Sequence, residues 1–190
     1  MKALMLNSGG ADTLWCAKLL SEAGDELHSL FIALGHTADP VSKTAAEAIA
    51  QRYCASHRNM KVTGLVPRYA VNVPEYISIP YQTLMLLAMA ASVAVAQDIQ
   101  HIVSGVRIPM MKQTPEKLQA LMGRSVFATW GITWHFPCGD IPAPRVIVEI
   151  KGHDLYPATN SCNLSPSCLA IRTPETYCHK CRLRAEAEYY

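Results

Sequence analysis

The sequence has little excess charge of either sign and no long apolar run. Its formal net charge over 190 residues is +2, too small for bulk attraction to nucleic acid or to an anionic membrane. The longest apolar stretch, residues 83–96, is shorter and richer in alanine than a membrane span. Met1 and Lys2 lead into a short apolar run and then a glycine pair, so we expect no secretion signal and a cytoplasmic location.

Two common nucleotide-binding signatures are also missing from the sequence. It contains neither the Walker A pattern G-x-x-x-x-G-K-[ST] nor G-x-G-x-x-G. Internal repeats and low-complexity segments are absent as well. Hydrophobic residues make up 50% of the chain and charged residues 17%, a composition typical of a globular domain with a sizeable core.

Short apolar segments alternate with helical segments along the chain. We predict strands at residues 2–6, 27–34, 61–66, 101–106 and 145–150. We predict helices at residues 12–22, 40–53, 81–97 and 114–122, and a short one at the end of the chain. The pattern assigns no element to residues 129–140. The alternation predicts an α/β fold with a Rossmann-like, doubly wound parallel sheet.

The motif Ser8-Gly9-Gly10-Ala11-Asp12-Thr13 lies between the first predicted strand and the first predicted helix. Glycines let backbone N–H groups turn toward a phosphate, and the helix N-terminus adds partial positive charge. The two hydroxyls can donate hydrogen bonds, and Asp12 can cap the helix or hold a magnesium ion that bridges phosphates. We therefore predict a phosphate-binding site here. The alternative is an ordinary glycine turn with Asp12 as the helix cap.

Seven cysteines are an odd number, so they cannot all form disulfides within the chain. Four of them cluster late in the sequence: Cys162, Cys168, Cys178 and Cys181. Four thiolates bind zinc tetrahedrally and leave no open position, so we predict a structural zinc site, in which His179 could replace one ligand. Unmodified thiols or a Cys-x-x-Cys disulfide are the alternatives. We expect an ATP-binding domain at residues 1–157 and a zinc-binding segment, packed on it, at residues 158–190.

The two motifs together resemble the 7-cyano-7-deazaguanine synthase family of PP-loop (N-type) ATP pyrophosphatases. Members carry S-G-G-x-D-S near the N-terminus and a four-cysteine zinc site near the C-terminus; here Thr13 stands in place of the last serine. The resemblance implies a PP-loop sheet, ATP with Mg²⁺, structural Zn²⁺ and a homodimer. It implies that Ser8 and Asp12 are catalytic. It also implies ATP contacts from Ser8, Gly9, Gly10, Ala11, Asp12, Thr13, Gly35 and Gly105.

The resemblance also implies a reaction with a small deazapurine acid. ATP would activate the carboxylate of 7-carboxy-7-deazaguanine as an adenylate, with release of pyrophosphate, and ammonia would displace AMP to give an amide. A second ATP would activate the amide oxygen, whose loss gives the nitrile. Family members open their central helix with P-x-R-N, whereas this sequence has Pro80-Tyr81-Gln82-Thr83, without the arginine.

Two other functions remain open from the sequence. An ATP-dependent sulfurtransferase acting on tRNA would need a reactive cysteine, for which Cys138 is the candidate; the small net charge counts against a nucleic-acid substrate. A catalytically inactive nucleotide-binding partner or sensor is the other. The missing arginine supports it, and the retained Ser8, Gly9, Gly10 and Asp12 oppose it.

Overall fold

The structure is a computed structural model that describes residues 1–36, 38–64, 82–106, 131–160, 162, 173 and 179–188. These residues form five strands, named β1 (Lys2–Leu6), β2 (Glu26–Ala33), β3 (Ser56–Lys61), β4 (His101–Ser104) and β5 (Thr133–His135). They also form five α-helices, named α1 (Ala11–Glu22), α2 (Asp39–Tyr53), α3 (Gln82–Ala96), α4 (Ala143–Ile150) and α5 (His179–Glu188). A single 3₁₀ turn covers Tyr156–Ala158.

The strands form one parallel sheet in the order β3-β2-β1-β4-β5. Leu4 of β1 lies opposite His28 of β2 on one side and opposite Ile102 of β4 on the other. The chain runs outward from β1 to β3 and then returns to the other side of β1 for β4. Strand order therefore reverses between β1 and β4, and in open α/β sheets ligands bind outside the carboxyl ends of the strands at such a point.

The sheet is covered on both faces, as predicted for a doubly wound fold. Ala3 and Met5 of β1 point to one face, where they pack in a core with Leu14 of α1 and with residues of α2 and α4. Leu4 points to the other face and packs against Leu87 and further residues of α3. Because β1 is buried on both faces, its sequence is a continuous apolar run rather than an alternating one. Burying each of its larger side chains contributes about 1.5–3 kcal/mol.

Helix α3 matches the predicted helix at residues 81–97 to within a residue at each end. It has no charged residue in its first or last turn. Its buried face consists of leucine and alanine, which allows close approach to the sheet. Within the part of the chain that the structure describes, no helix combines the length and the apolar composition that crossing a bilayer requires.

Two predicted strands are wrong. The segment 145–150 lies in helix α4, whose buried residues are Ala143, Val146, Ile147 and Ile150. Their spacing of three and four residues is that of a helix, and a proline in the first helical turn favours this start.

Strand β3 ends at Lys61, whereas the sequence predicted that a strand would start there. As a mostly exposed edge strand it is polar and lacks the apolar pattern by which buried strands are predicted. Strand β5 lies in the unassigned stretch, and the predicted helix at 114–122 lies outside the described residues.

Candidate functional site

The turn between β1 and α1 lies at the carboxyl edge of the sheet, beside the reversal of strand order. It brings together two of the predicted hydroxyls: Ser8 Oγ lies 3.0 Å from Thr13 Oγ1. Ser8 is exposed, whereas Thr13 is buried. Gly10 is the helix cap, and Asp12 lies within the first turn. Asp12 is therefore not the N-cap residue that the sequence allowed.

The first turn of α1 presents backbone N–H groups at this edge. The amides of Gly10, Ala11 and Thr13 donate to no acceptor among the described residues. Such amides are left without partners by the geometry of a helix start, and together with the helix dipole they favour an anion. The turn can therefore bind a phosphate through backbone groups, with the hydroxyls of Ser8 and Thr13 beside it.

Gly9 shapes this turn. Its φ of +71° is a left-handed conformation that favours glycine, and a Cβ atom there would lie 2.3 Å from the backbone oxygen of Ser42. Its N–H donates to Asn7 Oδ1 at 3.0 Å, and its carbonyl accepts from the backbone N–H of Asn160 at 2.8 Å. Since the Gly9 amide is already bonded within the protein, the adjacent amides of the turn are the ones available to a phosphate.

Asn7 is a site residue that the sequence analysis missed. It follows β1 directly, and only 2% of its surface is exposed. While its Oδ1 accepts from Gly9, its Nδ2 donates to Ser29 Oγ at 2.9 Å and to the carbonyl of Ala46 at 2.8 Å. Asn7 therefore ties the turn to β2 and α2. The sequence does contain a feature that points to Asn7: it is a polar residue between an apolar strand and a Ser-Gly-Gly motif.

The other two predicted glycines follow neighbouring strands at the same edge. Gly105 comes directly after β4, and a Cβ atom there would lie 3.2 Å from both the carbonyl carbon and the Cβ of Asp12. The end of β4 thus abuts the start of α1. Gly35 comes after β2 with φ +92°, and its N–H donates to Asp39 Oδ2 at 2.7 Å. The structure brings the three glycine turns to one edge, and their contacts with ATP stay a prediction.

Two buried polar atoms at this edge have no hydrogen-bond partner within the described ranges: His36 Nε2 and Gln82 Oε1. His36 follows Gly35 after β2. Gln82 begins α3, which leads back across the sheet into β4, so its first residue lies near the carboxyl edge. Gln82 stands where the resembled family has its arginine. A third such atom, Gln97 Nε2, lies just past the other end of α3, so an unpartnered buried atom does not by itself identify a ligand site.

Cys138 lies in the core and not in an accessible loop. Its side chain is fully buried, and its Sγ lies 3.4 Å from Cys16 Sγ and 3.7 Å from the carbonyl oxygen of Asp12, to which it donates. The hydrogen bond with Cys138, followed by burial, raises the pKa of the Cys16 thiol well above its usual range. A thiol pair in this setting is poorly suited to nucleophilic chemistry.

Two of the four predicted zinc ligands can be described. Cys162 and Cys181 are 4% and 2% exposed, so both thiols are withdrawn from solvent, as ligands of a structural metal are. Cys168 and Cys178 lie outside the described residues. The remaining His, Cys, Asp and Glu side chains in the described ranges include no group of three that could hold a metal ion. The four-cysteine zinc site therefore stays a prediction.

No family model matches the sequence, and no curated protein matches it. Several solved structures are similar in fold. The U34-tRNA thiolase NcsA from Methanococcus maripaludis, determined with its [4Fe-4S] cluster, matches with a TM-score of 0.65 and 16% identity over 100% of this chain and 63% of that one. A 4-thiouridine synthetase in complex with RNA and bound ATP matches with a TM-score of 0.59 and 16% identity over 99% of this chain and 50% of that one.

An NH₃-dependent NAD synthetase from Campylobacter jejuni subsp. jejuni NCTC 11168, in complex with a nitrate ion, matches with a TM-score of 0.51 and 10% identity over 99% of this chain and 82% of that one. The chain thus spans 63% of the length of the thiolase and 50% of the length of the 4-thiouridine synthetase. At these identities the similarity establishes the fold. It confirms the predicted doubly wound α/β fold.

Proposed function

We propose that this chain binds ATP between the carboxyl ends of β1 and β4 and uses it to form an adenylate on a second substrate, with release of pyrophosphate. The observation that carries the proposal is the position of the Ser8–Thr13 hydroxyl pair and the α1 N-terminus at the reversal of strand order. The proteins of similar fold support it, because one of them was determined with bound ATP.

The described residues suit the chemistry of that step. In-line attack at the α-phosphorus releases pyrophosphate, whose charge must be stabilised as it develops. The amides of Gly10 and Ala11 and the hydroxyls of Ser8 and Thr13 are the donors for it. Asp12 would hold Mg²⁺, which neutralises phosphate charge when it is bound. Gly105 allows β4 to approach this turn closely.

The first substrate to test is 7-carboxy-7-deazaguanine with ammonia, giving 7-cyano-7-deazaguanine. Support comes from the resemblance of the Ser-Gly-Gly-x-Asp and four-cysteine motifs to that family. Gln82, a neutral amide at the position of the family's arginine, keeps hydrogen-bonding capacity there without the positive charge. In this reading the four cysteines hold zinc, and the chain acts as a homodimer.

Thiolation of tRNA is the second candidate, favoured by the U34-tRNA thiolase and the RNA-bound 4-thiouridine synthetase, which match essentially the whole chain. Burial of Cys138 argues against that thiol as the sulfur carrier, which leaves the cysteines of residues 162–181 for sulfur chemistry. NcsA carries a [4Fe-4S] cluster, so these cysteines would hold iron in this reading. Metal analysis of protein purified without oxygen separates the two, since zinc favours nitrile synthesis and iron with acid-labile sulfide favours thiolation.

The enzymatic test is pyrophosphate release with ATP, Mg²⁺, 7-carboxy-7-deazaguanine and ammonia, with product identification by mass spectrometry and a parallel reaction with tRNA. Ser8→Ala and Thr13→Val each remove one hydroxyl of the pair and should slow release at least about tenfold. Ser92→Ala is the control, because that exposed hydroxyl only donates to Ala88 within α3. Tight ATP binding without turnover on any substrate would favour the inactive partner or sensor, and no ATP binding would refute the proposal.

A further inference from the structure

Asn160 connects Cys162 to the turn between β1 and α1, which we propose binds phosphate. Its backbone N–H donates to the carbonyl of Gly9 at 2.8 Å. Its side-chain Nδ2 donates to Ser42 Oγ and to the carbonyl of Cys162, each at 2.9 Å, and its Oδ1 accepts from the Cys162 N–H at 3.1 Å. Asn160 is 9% exposed. One buried residue thus contacts helix α2 and the first of the clustered cysteines through its side chain, and the turn through its backbone N–H.

Ser42 faces the same turn from the other direction. Its backbone oxygen lies where a Cβ atom of Gly9 would be, while its hydroxyl accepts from Asn160. The Gly9 peptide is held at one end by Asn7 Oδ1 and at the other by the Asn160 N–H. The side-chain bonds of Asn160 fix the position of that N–H, so they also fix the direction in which the next amides of the turn point.

We propose that Asn160 is a positioning residue for ATP, through which the anchoring of the Cys162 segment sets nucleotide affinity. The inference rests on the proposed function, and the residue acts through Gly9 and Ser42. Removing the amide would break its hydrogen bonds to the half-buried Ser42 hydroxyl and to the backbone N–H and carbonyl of Cys162. The turn would then sample other orientations, and ATP would bind more weakly.

The test measures ATP affinity by calorimetry in Asn160→Ala, Ser42→Ala and the double variant. We expect Kd to rise about tenfold for Asn160→Ala and about threefold for Ser42→Ala, the scale of one or two hydrogen bonds. The double variant should bind no more weakly than Asn160→Ala, because both changes break the same contact. Thr44→Val is the matched control on the same helix, since its hydroxyl donates only to Pro40 within α2, and its Kd should match the wild type.

Two further readouts distinguish positioning from loss of folded protein. In pyrophosphate release, Asn160→Ala should raise KM for ATP with little change in kcat, whereas partial unfolding would lower kcat. Because coupling is reciprocal, ATP should slow hydrogen exchange at the amides of Asn160 and Cys162 in the wild type. In Ser42→Ala, which removes no core group, that protection should be smaller.

The outcomes separate this inference from the proposed function. A wild type that fails to bind ATP overturns both. A wild type that binds ATP, with an Asn160→Ala variant that binds it equally well, overturns the positioning role alone. If Asn160→Ala does not fold, Ser42→Ala decides: an unchanged Kd together with no ATP effect on exchange at Cys162 overturns the role, and a raised Kd supports it.

Discussion

At the scale of single residues, the turn after β1 is set by a position that has no side chain. Gly9 and Gly24 both have positive φ, +71° and +82°, but their surroundings differ. A Cβ atom on Gly9 would meet the backbone of α2, whereas one on Gly24 would meet nothing within 4 Å. Gly24 ends α1, with its N–H donating to Ser21 and that of Asp25 donating to Leu20, a common glycine-ended helix terminus. Comparing alanine substitutions at Gly9 and Gly24 therefore separates the cost of a positive φ from the cost of crowding against α2.

We predict that Gly24→Ala lowers the free energy of unfolding by about 1 kcal/mol and leaves ATP affinity unchanged, since it carries only the cost of positive φ. Gly9→Ala should lower the unfolding free energy by about 2–4 kcal/mol, because the α2 backbone must also shift. It should also weaken ATP binding. Urea unfolding and calorimetry measure the two quantities. Equal losses of stability in the two variants would show that Gly9 is not crowded by α2.

Of the three described thiols outside residues 158–190, those of Cys16 and Cys138 are buried and that of Cys54 is half-buried. Burial raises the pKa of Cys54 to about 12, and the contact with Cys138 together with burial raises that of Cys16. We predict that iodoacetamide at mildly alkaline pH leaves Cys16, Cys54 and Cys138 unmodified in native protein and modifies all three in urea, as read by peptide mass spectrometry. Rapid native modification of Cys138 would restore it as a candidate sulfur carrier.

At the scale of secondary-structure elements, apolar runs in the sequence located β1, β2 and β4 well, because each strand contains consecutive buried apolar residues, at 3–5, 30–31 and 102–103. The same logic failed for residues 145–150. A short apolar run preceded by prolines fits either a strand or a helix. These residues form helix α4, whose buried residues lie on one helical face, and the helix packs against α1. Edge strand β3 gave no apolar signal because one side of the sheet ends there.

Strands β4 and β5 are joined by a pair of histidines whose rings are in hydrogen-bond contact. His101 Nδ1 lies 3.1 Å from His135 Nε2, a hydrogen bond that requires at least one neutral ring. Burial, and then the charge of His101, lower the pKa of His135, with an opposing effect from Asp25. The unfolded chain, with a histidine pKa of about 6.5, then binds protons more readily than the folded one.

It follows that this pair contributes stability above about pH 6.5 that is lost as pH falls toward the lower pKa of folded His135. We predict that the free energy of unfolding falls more steeply between pH 7 and 5 in the wild type than in His135→Gln, which keeps a hydrogen-bonding amide but does not titrate. Urea unfolding at several pH values measures both slopes. Parallel slopes would mean that His135 titrates alike in the folded and unfolded chain.

At the scale of the whole molecule, the sequence predicted the fold class and a glycine turn between β1 and α1, because both depend on local pattern. It did not predict Asn7 or Asn160, whose roles come from partners that are distant in sequence and meet only when the sheet and the tail are assembled. It also did not predict that β1 and β4 would be neighbours at the reversal of strand order. That arrangement is a property of the assembled sheet.

Arg184 attaches helix α5 to the segment that follows α4. Its guanidinium donates to the carbonyl of Thr159 at 2.8 Å, to Thr159 Oγ1 at 3.2 Å and to the carbonyl of Tyr156 at 3.2 Å, and it lies 4.3 Å from the centre of the Tyr156 ring. Helix α5 also packs against α4, which packs against α1. Thr159, which Arg184 contacts, immediately precedes Asn160, whose N–H donates to Gly9. The same short segment therefore contacts both α5 and the turn between β1 and α1.

We predict that Arg184→Lys lowers the free energy of unfolding by about 1–3 kcal/mol, because lysine keeps the charge but cannot bond both carbonyls or stack on the ring. Arg182→Lys, at an exposed position of the same helix, should be nearly neutral. If the segment 158–190 packs on the domain as predicted, the Arg184→Lys loss shifts a single urea transition, followed both by tryptophan fluorescence and by circular dichroism. A second transition at lower urea, sensitive to Arg184 alone, would instead show that the tail unfolds independently, and coupling between Cys162 and the ATP site would then lack its structural basis.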